Sequence, residues 1–491
     1  NGVAFAASAT TDTTNASNIS SGTLAFERLP YVVPAGSTQS QINTALNAGL
    51  PVILKQGVTY TITAPIVLKN GSYIYAQGAT IAASVGYSSN YMVAGASNAV
   101  VMYGTFDGSN LPSPSGAWLG VGVPVGSIVS GDGTTTACDN MIFSDVTFKN
   151  SPSGPVFLRQ CSNALFDRPV AINTQTYTSN ITNAVFEVYG YTLVANTAGG
   201  NYNVFRDAVI NGYNWKAINI GNSIGSQVVR PHAYGGTQNV GYAAFYEEGA
   251  IDTNWDSPRH DGTGFGFKAY NFLRTTLRNP TFNGSASAVY AQRGTDFKLI
   301  GGTYTAPNSS NIGIQIEANT GPIAGVLVNG FTARRTVAGS TSNHVGFRVL
   351  TDGVNAASDV TLVNSTFDAF YEGVGIDNVA NAAVSDVRII GNRFTNIVAY
   401  GVLALLHSGE ITGNTITTTT AGSPAIVASM VGGAGAGGNV KISNNTTSGP
   451  TAIAHIQIGT GYGGGATQWP NLTVSDNVGS GGGDFIDMNW S

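Results

Sequence analysis

The chain has 491 residues, of which 64 are glycine and only 10% are charged, with a formal net charge of -5 and a pI near 5.5. Length alone would allow about three domains. The acidic balance argues against a general nucleic-acid binder, and no apolar run reaches the ~18 residues that a membrane-spanning helix needs. Only two cysteines occur, Cys138 and Cys161. A disulfide framework needs more than two, so buried free thiols are the expectation, although a separation of about one repeat would let them be column neighbours.

Residues 1–28 are rich in Thr, Ser and Asn and too poor in apolar residues to build a core, so they read as a linker or attachment segment. The chain starts at Asn1 with no basic stretch followed by an apolar one, and is expected to be a piece of a longer polypeptide. Thr38 and Gln41 have capping-box spacing, Ile42, Ala45 and Leu46 fall on one helical face, and Gly49 supplies a stop. This short amphipathic helix immediately precedes strands at 51–54, 59–62 and 66–68, within a helix-capped start at 29–82. It is placed to cover the open edge of a first coil, which would otherwise invite aggregation.

Residues 83–480 are governed by a degenerate cassette: an alternating apolar run, then Gly or Asn, then one more apolar residue. It recurs at 296–304, 325–331, 359–367, 386–394, 409–416, 439–445 and 471–477. The uneven spacing, about 22 to 35 residues, is in the solenoid range. A period-2 strand buries alternate side chains, and Gly or Asn takes a positive-φ corner. An all-β, single-stranded parallel β-helix follows, with about 15 coils at ~4.8 Å and a rod near 70 Å. The Gly-rich stretch 461–483 reads as a terminal loop and 481–491 as a C-terminal cap.

A second set of strands, at 185–188, 217–220, 244–248, 266–269, 289–293, 313–317, 346–349 and 375–377, carries the informative charges. With the large apolar residue inside, the next residue faces out. The outward column then runs Glu187, Asn219, Tyr246, Lys268, Ala291, Gln315, Arg348 and Asp377, with a second column of Glu248, Arg293 and Glu317. Acids, amides, cations and an aromatic in parallel columns suit a polysaccharide groove. Glycoside hydrolysis usually takes two carboxyl groups. In a chain with only 26 acids the adjacency Glu247-Glu248 is unusual. If the strand ends at Gly249 both reach solvent, and mutual repulsion raises one pKa as a general acid requires. Glu317 is the candidate partner; two solvated acids at a loop mouth is the plain alternative. The stretch 252–262 reads as a binding loop, where Trp255 stacks on a sugar face while Asp252, Asp256, Arg259 and His260 bond hydroxyls or acids. Its spacing matches no metal loop, and neither a metal nor a cofactor is expected.

Two local matches suggest a family. The block 10–24, ending in Arg28, Leu29 and Pro30, resembles the connector of tail fibres and tailspikes of tailed bacteriophages. The segments 45–49, 57–62, 68–71 and 78–81 look like the opening of pectate-lyase-like β-helices. Together they resemble capsule-degrading tailspike depolymerases, particularly those of Acinetobacter podoviruses. That resemblance implies a homotrimer of right-handed β-helices in a virion, joined to the rest of the phage tail through the N-terminal segment. It would bind and cleave surface polysaccharide of the host. Hydrolysis is the leading chemistry. A lyase would instead use Lys268, Arg293, Tyr246 or His260 as a base beside a uronic acid, and a non-catalytic receptor-binding spike is the third class. Lys268, Arg293, Arg348 and Arg259 favour an acidic polymer over a neutral one.

Overall fold

A computed structural model describes residues 30–113, 127–132, 138–175, 184–190, 200–236, 243–307, 312–338, 343–377, 384–429, 438–450, 454–459, 469, 471–481 and 484–489. The attachment segment expected at 1–28 and the Gly-rich 460–468 lie outside them. The chain winds as a right-handed parallel β-helix whose coils each contribute a strand to three faces. In one coil the first face is Ala243–Glu248, the second Asn254–Asp256 and the third Arg259–Asp261. Every pairing between coils is parallel, as in Tyr246↔Lys268, Trp255↔Leu277 and His260↔Phe282. Among the described residues the third face holds 16 strands, close to the number of coils read from the sequence. The first two faces are continuous with one another where Phe265–Arg278 and Ser287–Ile300 run as single long strands across the corner between them.

The helix falls where the capping box puts it, at Gln39–Asn47, with Ile42, Ala45 and Leu46 buried and the Gln41 side chain accepting from Thr38 N at 3.0 Å. It closes the first coil chemically as well as sterically. Asn43 Oδ1 accepts from Val67 N at 2.9 Å and Gln39 Oε1 from Thr63 N at 3.1 Å. Backbone donors that would have paired with a preceding coil are thereby satisfied.

The corner between the second and third faces explains the cassette. Its Gly or Asn takes positive φ, as at Gly391 (65°), Gly413 (66°) and Asn444 (54°). The residue after it is repeatedly an asparagine that is buried, not solvated. Asn392, Asn414 and Asn445 stack with Asn477 so that each backbone N–H and each Nδ2 donates to the next Oδ1 at 2.9–3.1 Å. The remaining Nδ2 hydrogens go to the carbonyls of Leu362, Ile389 and Ile411.

Two expectations are corrected. Cys138 and Cys161 are not free thiols but a disulfide, with Cα atoms 5.0 Å apart. One coil separates them, and the spacing of adjacent coils falls inside the Cα range a disulfide spans. The expected C-terminal cap is a further coil: Asp484–Asn489 pairs in parallel with Ala454–Gly459, and Asn471–Ser475 and Val478–Ser480 are strands within the supposed terminal loop.

Asn414→Ala removes the acceptor of two buried donors and the amide donor to the Ile389 and Asn445 oxygens. A loss of about 2–4 kcal/mol in denaturant unfolding is expected. An unchanged midpoint would mean that the ladder is incidental to stability.

Candidate functional site

The first face collects the polar chemistry. Register fixes one outward column as Glu187, Asn219, Tyr246, Lys268, Tyr290, Gln315, Arg348 and Gly375. A second, two residues on, runs Tyr189, Gly221, Glu248, Tyr270, Gln292, Glu317, Leu350 and Asp377. Ala291 is therefore not in the outward column but fully buried, with Tyr290 in its place, and Asp377 belongs one column over. Arg293 follows Gln292 at the corner, with φ of 37°, and lays its guanidinium 4.5 Å from the centre of the Tyr270 ring.

Lysines interleave with tyrosines across neighbouring coils. Lys216 Nζ lies 4.3 Å from the Tyr246 ring centre, and Lys268 Nζ lies 5.9 Å from Tyr246 and 4.7 Å from Tyr290. Such contacts hold a cation beside an aromatic face in a partly desolvated setting. Burial pushes both ammonium groups down from the ordinary lysine value, opposed by Glu187 and Glu248 at Lys216 and by Glu317 and Glu248 at Lys268.

Three carboxyls lie on this face in different states. Glu187 is only 3% exposed; Ala184 N donates to it at 2.8 Å and Asn219 Nδ2 at 3.2 Å. Burial raises its pKa against the pull of Lys216, so it holds its proton to higher pH than a free glutamate. Glu248 is half-buried, and among the described residues its carboxylate accepts no hydrogen bond. Glu317 is buried and saturated: it accepts from Tyr290 Oη, from Gln315 Nε2 at 2.8 Å and from Asn319 Nδ2 at 2.9 Å. Tyr189 lies over Gly221, where a Cβ would come within 2.4 Å of its ring atoms, and burial followed by the charge of Glu248 raises its pKa.

The other sequence candidates are elsewhere. Glu247 does not share the recess with Glu248: alternation turns it inward, into the column Val188, Ile220, Glu247, Ala269, Ala291. There it is fully buried, accepting from Thr253 Oγ1 and Trp255 Nε1 at 2.9 Å each and from Thr275 Oγ1. Trp255 is likewise no sugar platform. It is 0% exposed in the core of the second face, its ring centre 5.3 Å from that of Phe267. The stretch read as a binding loop is two strands joined by a tight corner. Asp252 is held by Arg274 at 2.5 and 2.9 Å, Asp256 accepts from Ser257 Oγ, and Arg259 donates to Asp261 at 2.7 Å. All three lie on or beside the second and third faces. His260 is buried with Nδ1 2.8 Å from Ser285 Oγ, and burial pushes its pKa down to about 4. The first face thus brings together Tyr246, Glu248, Lys268, Gln315, Glu317 and Arg348. To these it adds Glu187, which the sequence placed in the outward column without a catalytic role, and Lys216, Tyr189 and Tyr290, which the sequence did not mark.

No family model matches the chain, and no curated protein matches it. Solved structures similar to it include the surface protein and adhesin PfbA of Streptococcus pneumoniae, at 11% identity over 94% of this chain and 100% of that one, with a TM-score of 0.39. The bacteriophage Phi29 gene product 12 N-terminal fragment matches at 12% identity over 91% and 90%, TM-score 0.42. The endo-xylogalacturonan hydrolase of Aspergillus tubingensis matches at 12% over 93% and 95%, TM-score 0.32. At these values the likenesses carry neither an activity nor a partner over to this chain.

The interior position of Glu247 has a measurable consequence. Burial raises its pKa from 4.5 to about 7. The folded chain therefore binds one more proton than the unfolded chain between those values, and stability falls as pH rises through that window, levelling above it. Glu247→Gln keeps an acceptor for Trp255 and cannot ionise. Relative to the parent it should gain about 3 kcal/mol between pH 4.5 and pH 8, read from paired denaturant titrations. A difference independent of pH would show that Glu247 does not titrate in the core.

Proposed function

We propose that the chain is a polysaccharide-degrading spike protein that binds an acidic host polysaccharide along the first face and hydrolyses it there. One observation carries this reading: a buried carboxyl with a raised pKa, Glu187, and a half-buried carboxylate that accepts no hydrogen bond among the described residues, Glu248, flank the Lys216–Tyr246 contact. Two carboxyls in unlike environments are what general-acid and general-base roles require. Glu187, protonated to higher pH, supplies the leaving-group proton, and Glu248 activates water. Their backbones lie two coils and two residues apart, about 12 Å by the spacings of a parallel sheet. An inverting mechanism needs the two carboxyls about 6.5–9.5 Å apart, so it requires the side chains to approach each other when substrate is bound. Lys216, Lys268 and Arg348 supply positive charge for acidic sugars, and Tyr246 and Tyr290 apolar faces for the rings. Glu317, saturated by three donors, positions Tyr290 and Gln315.

Elimination is the second reading, favoured by Lys216: a buried ammonium with a lowered pKa gives up its proton readily and can serve as base beside a uronate. The resemblance of the N-terminal segment to phage connectors supports a place on a virion and assembly as a homotrimer, which light scattering of the full chain tests directly.

Glu187→Gln and Glu248→Gln should each slow depolymerisation of a purified acidic capsular polysaccharide by about 10²–10⁴, with binding retained, whereas Glu247→Gln should leave the rate near that of the parent. Near-full activity in both of the first two variants refutes the assignment. If Lys216→Met abolishes activity and the parent's digests absorb as unsaturated uronates, the lyase reading replaces it. Carboxyl reduction of the polymer should weaken binding and remove its salt dependence; equal affinity for both polymers excludes acidic recognition.

A further inference from the structure

A second aromatic recess lies away from the first face, at the corner between the second and third faces in the N-terminal coils. It is a cleft of about 610 Å³ lined by Gln56, Tyr75, Gln77, Tyr103, Thr105 and Asp145 among others. Tyr75 and Tyr103 meet edge to face with ring centres 5.4 Å apart and planes at 76°. Tyr103 is 40% exposed, and it occupies the corner position at φ of 59°, a conformation that Asp145, Arg168, Asp207 and Arg230 take at the same corner in the next coils and Gly301, Gly330, Gly391 or Gly413 take in later ones. A bulky aromatic residue is poorly suited to that left-handed conformation. The backbone is nonetheless held there, with Tyr103 N donating to Ser144 O at 3.0 Å. Beside it Gly78 leaves open space, with no atom within 4 Å of where a Cβ would stand. The one charged group lining the cleft is neutralised: Arg168 holds Asp145 through two hydrogen bonds of 2.7 Å.

We propose that this corner cleft is a separate carbohydrate site that takes an uncharged pyranose stretch. The chemistry differs from that of the first face. Two tyrosine rings offer apolar surface to the C–H face of a sugar. Gln56, Gln77 and Thr105 offer amide and hydroxyl groups to its hydroxyls, and no unpaired cation invites a carboxylate. Size agrees, since clefts of roughly 300–1,000 Å³ suit ligands of a few rings. Tyr103 shares its corner conformation with Asp145 and Arg168, so what sets it apart is an exposed ring lining the cleft rather than its backbone. The site does not depend on catalysis at the first face.

The test titrates the full chain with three neutral probes, maltohexaose, cellohexaose and N-acetylchitohexaose, by calorimetry and saturation-transfer NMR. At least one should bind. Tyr103→Asn should weaken that binding roughly tenfold while holding or raising the melting temperature, because asparagine enters the left-handed region more readily. Lys268→Ala should not change it. Absence of binding by all three probes overturns the proposal, as does equal binding by Tyr103→Asn. Loss of binding in Lys268→Ala would assign the probe to the first face. A fall in melting temperature together with lost binding would assign the Tyr103 ring to packing.

Discussion

Coil-to-coil register is the constraint on which the rest of the structure depends. Parallel hydrogen bonding stacks each residue on its equivalent about 4.8 Å away, so any side chain must be compatible with the one above and the one below. Inside, that demand selects apolar columns or polar groups that pair with their own kind. Asparagine can do this, because its amide donates to one neighbour and accepts from the other, and Asn392, Asn414 and Asn445 are buried without leaving an amide unpaired. Outside, identical charges in a column would repel, and the first face instead sets lysines against tyrosine faces and carboxyls. The recess chemistry is therefore the solvent-side solution to the packing problem that the asparagine ladder solves inside.

Much of this was legible in the sequence because a column repeats its signal. The cassette gave the architecture, and Thr38, Gln41 and Gly49 gave the helix and its end. Glu248, Lys268, Gln315 and Arg348 were placed outward correctly by alternation alone. What alternation missed is the entry to each first-face strand, where two successive residues turn inward. The first of the two is small: Ala217, Ala244, Gly266, Gly346 and Gly373. A Cβ on Gly266 or Gly346 would come within 2.6 Å of Phe282 or Phe367 of the third face. This local break in the two-residue period puts Lys216, one position earlier, on the outside, where a strict count puts it in the core. The misreading of 252–262 had another cause. Its acids and aromatic look like a loop in composition, but two short strands with a buried tryptophan, a corner aspartate and aspartates at the strand ends have the same composition. Only the register of Val228, Trp255 and Leu277 separates the two.

The contrast between Glu247 and its neighbours shows how little composition says about a carboxyl. Glu187, Glu247 and Glu317 are all buried, yet each meets a different partner set. Among the described residues Glu247 faces two threonines and a tryptophan and no cation, so burial raises its pKa to about 7, and an acid sealed in the core can exchange nothing with a substrate. Glu187 is desolvated to a similar degree but has Lys216 and Asn219 as neighbours on the outward side. Burial therefore raises its pKa while Lys216 and the two hydrogen bonds pull it back. Glu317 is fixed by hydrogen bonds rather than by burial alone, which suits orientation more than proton transfer. The adjacency Glu247-Glu248 is thus not a catalytic pair but a boundary, one acid on each side of the same sheet. The chemistry of the face is set by the residues that stack above and below Glu248, not by the one beside it in the chain.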